Sequence, residues 1–318
     1  DHRDLHSFPT RRSSDLLASA GVLALRNDDD AAALTVNAAV ADNTSASALA
    51  KYGTGKALLT ASNTYSGATM IYGGTLAFGG TVTQSVTGVI GGPGALTKEG
   101  AGRLTLSAAN TYTGLTVVSE GTLAVANSAS LGAKTAGTVV ENGATLDVGG
   151  STSANGLVID SEPITVSGSG VNGRGAIINS SALSQYNALS LVSLAGDTTF
   201  GGENSAARWD IRSLQYGTKA YFYMNDHMVT KVGSNYVGLT GATVLPGSGS
   251  IDVQEGYFTM EVGTRLNGSE ANTMTVRGGA VLDLYNLYYP QLWSLVLEDN
   301  ARVRSEEHTS ELQSLAYL

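Results

Sequence analysis

Residues 49–78 and 96–125 are one segment written twice. The first copy reads LAKYGTGKALLTASNTYSGATMIYGGTLAF and the second reads LTKEGAGRLTLSAANTYTGLTVVSEGTLAV, aligned without a gap at an offset of 47. Fifteen of the 30 positions are identical, among them Lys51/Lys98, Gly53/Gly100, Asn63/Asn110, Tyr65/Tyr112, Gly67/Gly114 and Leu76/Leu123. Units of this size bury apolar surface only by stacking on their neighbours, so the duplication restricts the chain to a solenoid or a related array.

Within a unit the period is two. Leu104-Thr105-Leu106-Ser107 and Leu115-Thr116-Val117-Val118 place apolar side chains at about every second position, as a strand with one buried face does. Gly- and Asn-containing turns separate these short runs, and a 3.6-residue pattern is largely missing. The prediction is an all-β chain of many short strands. Gly-Thr-Leu runs at 74–76 and 121–123 are followed by the related Gly143-Ala144-Thr145-Leu146 and Gly279-Ala280-Val281-Leu282. The spacing from Leu123 to Leu146, about half the offset between the copies, suits one winding of a right-handed parallel β-helix. The expected coil is roughly 20–24 residues long, at the short end of solenoid units. Each repeat unit is then expected to be two coils, with Leu76 and Leu123 in one interior file. At ~4.8 Å per coil, about 13 coils make a rod of roughly 60 Å.

The ends differ from what lies between them. Residues 1–16 read DHRDLHSFPTRRSSDL and residues 304–318 read RSEEHTSELQSLAYL, charged stretches without alternation. Both resemble translated sequencing-adapter DNA. Codons CAC TCT TTC CCT ACA CGA CGC TCT TCC GAT give His6 to Asp15, and AGA TCG GAA GAG CAC ACG TCT GAA CTC CAG give Arg304 to Gln313. The expected organisation is an adapter-derived segment at 1–16, a parallel β-helix fragment at 17–303 and a second adapter-derived segment at 304–318. Such segments are set aside before fold reasoning. His2, His6 and His308 leave with them, so His227 alone remains of the four histidines. Residues 17–303 keep 14 Lys and Arg against 21 Asp and Glu. That balance argues against nucleic-acid binding, which needs clustered cations. The apolar share of 42% over the full length argues against disorder. Cysteine is absent, which fits a chain that crosses an oxidising compartment unfolded.

The run Gly92 to Val125, GPGALTKEGAGRLTLSAANTYTGLTVVSEGTLAV, carries Thr-Lys-x-Gly, Leu-x-Leu, Asn-Thr-Tyr-x-Gly and Gly-Thr-Leu in order. It resembles the autotransporter-associated β-strand repeat, also called the passenger-associated transport repeat. A degenerate copy lies near 230–260, where Thr230-Lys231-Val232-Gly233 and Val253-Gln254-Glu255-Gly256 match Thr97 to Gly100 and Val118 to Gly121. The motif is not visible over 157–228. The resemblance implies a β-helix passenger of a Gram-negative-type bacterium, extracellular or displayed at the cell surface. It also implies a C-terminal translocator barrel or other surface anchor elsewhere in the full-length chain. The implied role is export and display or adhesion, with host or environmental glycans or surfaces as partners and no nucleic acid.

No catalytic, cofactor or metal site is expected from the sequence. In the repeat, Asn63, Tyr65, Gly67 and Leu76, with Asn110, Tyr112, Gly114 and Leu123, read as structural: Asn at a coil corner bonding its own backbone, Tyr stacking over its copy. Gly168-x-Gly170-x-x-Gly173 fits a dinucleotide fingerprint by letter, but strand-like Ala176-Ile177-Ile178 follows where a helix is required. Asp226-His227 and Asp28-Asp29-Asp30 read as charged turns. Two aromatic groups are candidate sugar-stacking positions: Tyr221 and Tyr223, beside Tyr216 and Phe222, and Tyr285, Tyr288, Tyr289 and Trp293. The chain is read as a non-enzyme. The alternatives are a polysaccharide lyase or glycosidase, which needs acids such as Asp147, Asp160, Glu162, Asp197 and Asp210 to converge, and a passive glycan-binding module.

Overall fold

In the computed structural model the chain winds into a β-solenoid of about 12 turns. The structure describes residues 14–19, 21–151, 156–213, 219–287 and 293–305. Among them the only helical elements are two 3-10 turns, Val148–Gly150 and Val171–Gly173. No helix among the described residues is long and apolar enough to cross a membrane. Most of the two segments read as adapter-derived, 1–13 and 306–318, lies outside the described residues. Ser14–Ser19 forms a strand antiparallel to Val22–Asn27, and every other strand pairing among the described residues is parallel.

Each turn visits three faces in the same order. Face 1 holds Val22–Asn27, Ala48–Tyr52, Thr69–Ile71 and Ile90–Gly91, and later Gln185–Leu189, Arg208–Arg212, Tyr236–Thr240, Tyr257–Glu261, Val281–Tyr285 and Arg302–Ser305. Face 2 runs from Leu34–Val36 through Thr75–Phe78, Ala95–Lys98 and Thr116–Val118 to Arg265–Leu266. Face 3 runs from Gln84–Val86 through Arg103–Leu106, Thr122–Val125 and Thr145–Asp147 to Ser294–Leu297.

The alternation in sequence becomes interior files. On face 2, Ala57, Leu76, Leu96, Thr116, Thr138 and Ile164 stand in register from coil to coil. On face 3, Leu104, Leu123, Leu146, Ile177 and Phe200 do the same. Leu76 and Leu123 are both fully buried in one continuous core, yet they belong to different files. The expectation that they share a file, and that one repeat unit makes two whole coils, is therefore wrong.

Coil length is the reason. Leu76 meets Leu96 one turn on, and Leu104 meets Leu123, so a turn of the repeat region takes about 20 residues, the lower limit for solenoid units. An offset of 47 is then two turns plus one face, so each copy sits one face further round. Later coils are longer than expected, from Leu146 to Ile177 and from Val192 to Phe222. They shorten again from Phe222 to Val244.

Candidate functional site

The rotation of the repeat places its identical residues at equivalent corners of different faces. Lys51 lies near the end of a face 1 strand, Lys98 ends a face 2 strand and Lys231 a face 3 strand. Each has the inward parity of an apolar neighbour two positions before it, Leu49, Leu96 and Val229, and each is buried. The ammonium groups donate to three backbone carbonyls apiece. Lys51 Nζ reaches Tyr52 O (2.8 Å), Gly53 O (3.0 Å) and Gly73 O (3.2 Å). Lys98 Nζ reaches Glu99 O (2.7 Å), Gly100 O (2.5 Å) and Glu120 O (3.0 Å). Lys231 Nζ reaches Val232 O (2.9 Å), Gly233 O (2.7 Å) and Glu255 O (3.1 Å). Two acceptors come from the lysine's own corner and the third from the next coil. These lysines are the residues whose role the sequence reading missed. The signal was present: a Lys retained in both copies at a core-facing parity.

Burial pushes the three ammonium groups below their ordinary value, Lys51 and Lys98 to about 8 and Lys231 to about 7. The unfolded chain therefore binds more protons than the folded one between about pH 7 and 10, and stability rises across that window. Below it both states are charged, and the desolvation penalty is present in full. Above pH 10 the sign reverses, because burial raises Tyr65 to about 12 and also raises Tyr112. A series of denaturant midpoints from pH 6 to 11 is expected to climb to about pH 10 and then fall; a flat or falling profile between 7 and 10 contradicts the buried-lysine assignment.

Asn63 and Asn110 tie three coils together. Asn63 Oδ1 accepts from Val40 N (2.9 Å) in the preceding coil, and Nδ2 donates to Gln84 Oε1 (2.9 Å) in the following one. Asn110 repeats this with Ile90 N (2.8 Å) and Ser130 O (2.6 Å). Neither Asn adopts a left-handed φ. At Asn63 the expected local bond is present, because Nδ2 also donates to Ala61 O (3.0 Å), and both amides reach in addition to the coils on either side. Tyr65 and Tyr112 lie on different faces and do not stack on each other. Their buried hydroxyls pair instead with Thr69 Oγ1 (2.9 Å) and Thr116 Oγ1 (2.6 Å). Gly67 and Gly114 lie against the coil below, where a Cβ would meet Ser47 O and Gly94 O at 2.4 Å.

The aromatic candidates separate. Tyr221 and Tyr223 stack on face 2 with centroids 6.0 Å apart. Tyr285 is exposed on face 1. Trp293 is buried, and its Nε1 donates to Asn267 O (2.7 Å). Tyr216, Tyr288 and Tyr289 lie outside the described residues. A different aromatic pair comes together on face 1, Tyr236 on Tyr257 at 4.0 Å. Beside it Arg208, Arg212, Glu261 and the buried Asp210 form an ion network, in which Arg208 Nε donates to Asp210 Oδ1 at 2.5 Å. Tyr186 covers both arginines at 5.5 Å.

The acids named as enzyme candidates sit in separate settings. Asp147 is paired to Arg103 (2.6 Å), Asp160 accepts from Ser190, and Asp210 is held in the arginine network. Glu162 accepts from Thr138 Oγ1 (2.8 Å), and burial raises it to about 7. Among the described residues no three His, Cys, Asp or Glu gather as metal ligands. Asp28 pairs with Arg26, and His227 faces Asp197 at 3.8 Å.

The passenger-associated-transport-repeat family model matches residues 49–78 and 96–125. No curated protein and no solved structure matches the chain. The matched segments are the two that supply Lys51 and Lys98, the bridging asparagines and the corner glycines. The chain thus carries two passenger-associated transport repeats, and in this solenoid they are set one face apart.

Proposed function

We propose that this chain is a structural segment of a secreted or surface-displayed autotransporter-type passenger, which supports export and display or adhesion. The translocator barrel or other anchor is assigned to the rest of the full-length protein, and residues 17–303 are assigned as the passenger portion. The observation that carries this reading is the directionality of the lysine corners: each ammonium lacks its third acceptor until the next coil is laid down. Solenoid contacts are local along the chain, so coils add one after another without waiting for distant partners. Outside a membrane that has no nucleotide energy source, each added coil would oppose backward sliding.

The test is display of the full-length parent carrying Leu106→Asp together with Leu123→Asp. Both side chains are fully buried, on one face and in successive coils. A buried unpaired carboxylate destabilises by several kcal/mol, so the expected result is an export intermediate stalled near the repeat. Normal surface levels of the double variant would overturn the reading.

A further inference from the structure

The long coil between Leu146 and Ile177 spends part of its extra length on a loop, 168–175, that overhangs face 3. The loop is built, not slack. A bridge joins Gly170 to Gly175, and Gly175 N donates to Ser169 O at 2.9 Å. Thr145 Oγ1 accepts from Val171 N (2.9 Å) and donates to Gly175 O (2.9 Å), which pins the loop to the sheet beneath.

Below the overhang lies a concavity of about 250 Å³, floored by Arg103, Thr122 and Thr145, the first residues of three successive face 3 strands. The Arg174–Glu203 ion pair (2.7 Å) divides it from a second concavity of about 480 Å³ that reaches Ser234 and Glu255. Both partners of that pair are mostly exposed, at 63% and 66%, so it can open without loss of core. The two hollows form one groove along the solenoid axis. It crosses seven coils, about 29 Å at ~4.8 Å per step, with a combined volume inside the ~300–1,000 Å³ usual for ligand clefts.

The chemistry of the groove selects among ligand classes. Its cations Arg103 and Arg174 are matched by Asp147, Glu203 and Glu255, so nothing favours a polyanion. Its floor strands are paired on both sides, which leaves no edge for a peptide strand to join. What it presents is an amide, hydroxyls, carboxylates and guanidinium groups, the set that exchanges hydrogen bonds with sugar hydroxyls. We propose that this groove binds an extended neutral oligosaccharide.

The experiment is calorimetric titration of the full chain with maltohexaose, cellohexaose, chitohexaose and hexagalacturonate. At least one neutral hexasaccharide is expected to bind below millimolar, with hexagalacturonate weaker. Asn172→Gly and Arg174→Ala each remove one exposed polar group from the overhang, and glycine keeps the left-handed φ of 55° at 172. Each variant is expected to melt as the parent does and to bind about tenfold more weakly. Ser234→Trp, which fills the far hollow, should abolish binding of the hexamer. Absence of binding by all neutral oligomers at millimolar concentration overturns the proposal. So does preference for hexagalacturonate, or affinity untouched by the three variants. The passenger-segment reading rests on coil stacking and is unaffected by any of these failures.

Discussion

Gly121→Ala is expected to destabilise the central coils by about 3–5 kcal/mol, combining backbone strain with overpacking. Gly121 adopts φ +70°, where an L-residue costs about 1–2 kcal/mol. A Cβ there would lie 2.4 Å from Gly100 O, 2.4 Å from Gly102 O and 2.8 Å from Lys98 Nζ. The oxygens belong to the backbone of the coil below, which is hydrogen-bonded along its length and cannot yield by a rotamer change. Gly143→Ala is the control that separates the two contributions. Gly143 has φ +87° but open space around its Cβ position, so it carries the strain without the clash, about 1 kcal/mol. Hydrogen exchange of amides in 95–125 is the appropriate readout, because a solenoid unfolds by neighbouring units. Equal loss of protection in the two variants would show that close stacking at the corner is not what requires glycine at 121.

Lys98→Met is the second large effect, an expected loss of about 2–4 kcal/mol. Methionine fits the volume of the alkyl stem but leaves three carbonyls without their donor, and a buried orphaned acceptor costs about 1–3 kcal/mol. Part of this is offset because the ammonium no longer has to be desolvated. Arginine should not rescue, since its planar fork cannot converge on three carbonyls grouped around one point. Lys56→Met is the matched surface change: Lys56 pairs with Glu99 at 2.8 Å with 40% of its side chain exposed. Exposed pairs contribute about 0–1 kcal/mol, so its denaturant midpoint should barely move. Lys98→Met should also flatten the rise of stability between pH 7 and 10. If Lys98→Met matches Lys56→Met in midpoint and slope, the carbonyl-held ammonium is not a structural element.

Much of the architecture was legible in the chain. Period-two runs such as Leu104-Thr105-Leu106 specify strands with one buried face, and the duplication demands stacked neighbours. Asn63 and Asn110 recur at the same place in both copies, but the partners they take across coils are not written in the repeat. The candidate surface was less legible. Tyr221 and Tyr285 are both aromatic, but the winding sends them to different faces, and Trp293 turns inward. The groove beside Thr145 depends on a loop whose glycines, by letter, spell only a dinucleotide fingerprint.

The letters of the chain are enough to specify a stack of short strands that carries two copies of one repeat. Local alternation and local turn chemistry are written residue by residue. Where each copy lies around the axis emerges from the winding alone, because rotation accumulates from the residues that every corner consumes. The offset between the copies is not a whole number of turns, so the second copy moves on by one face and Leu123 leaves the file of Leu76. The same winding brings the carbonyls of Glu99, Gly100 and Glu120 around one lysine, a convergence that depends on the stacking of one coil on the next and not on any run of letters.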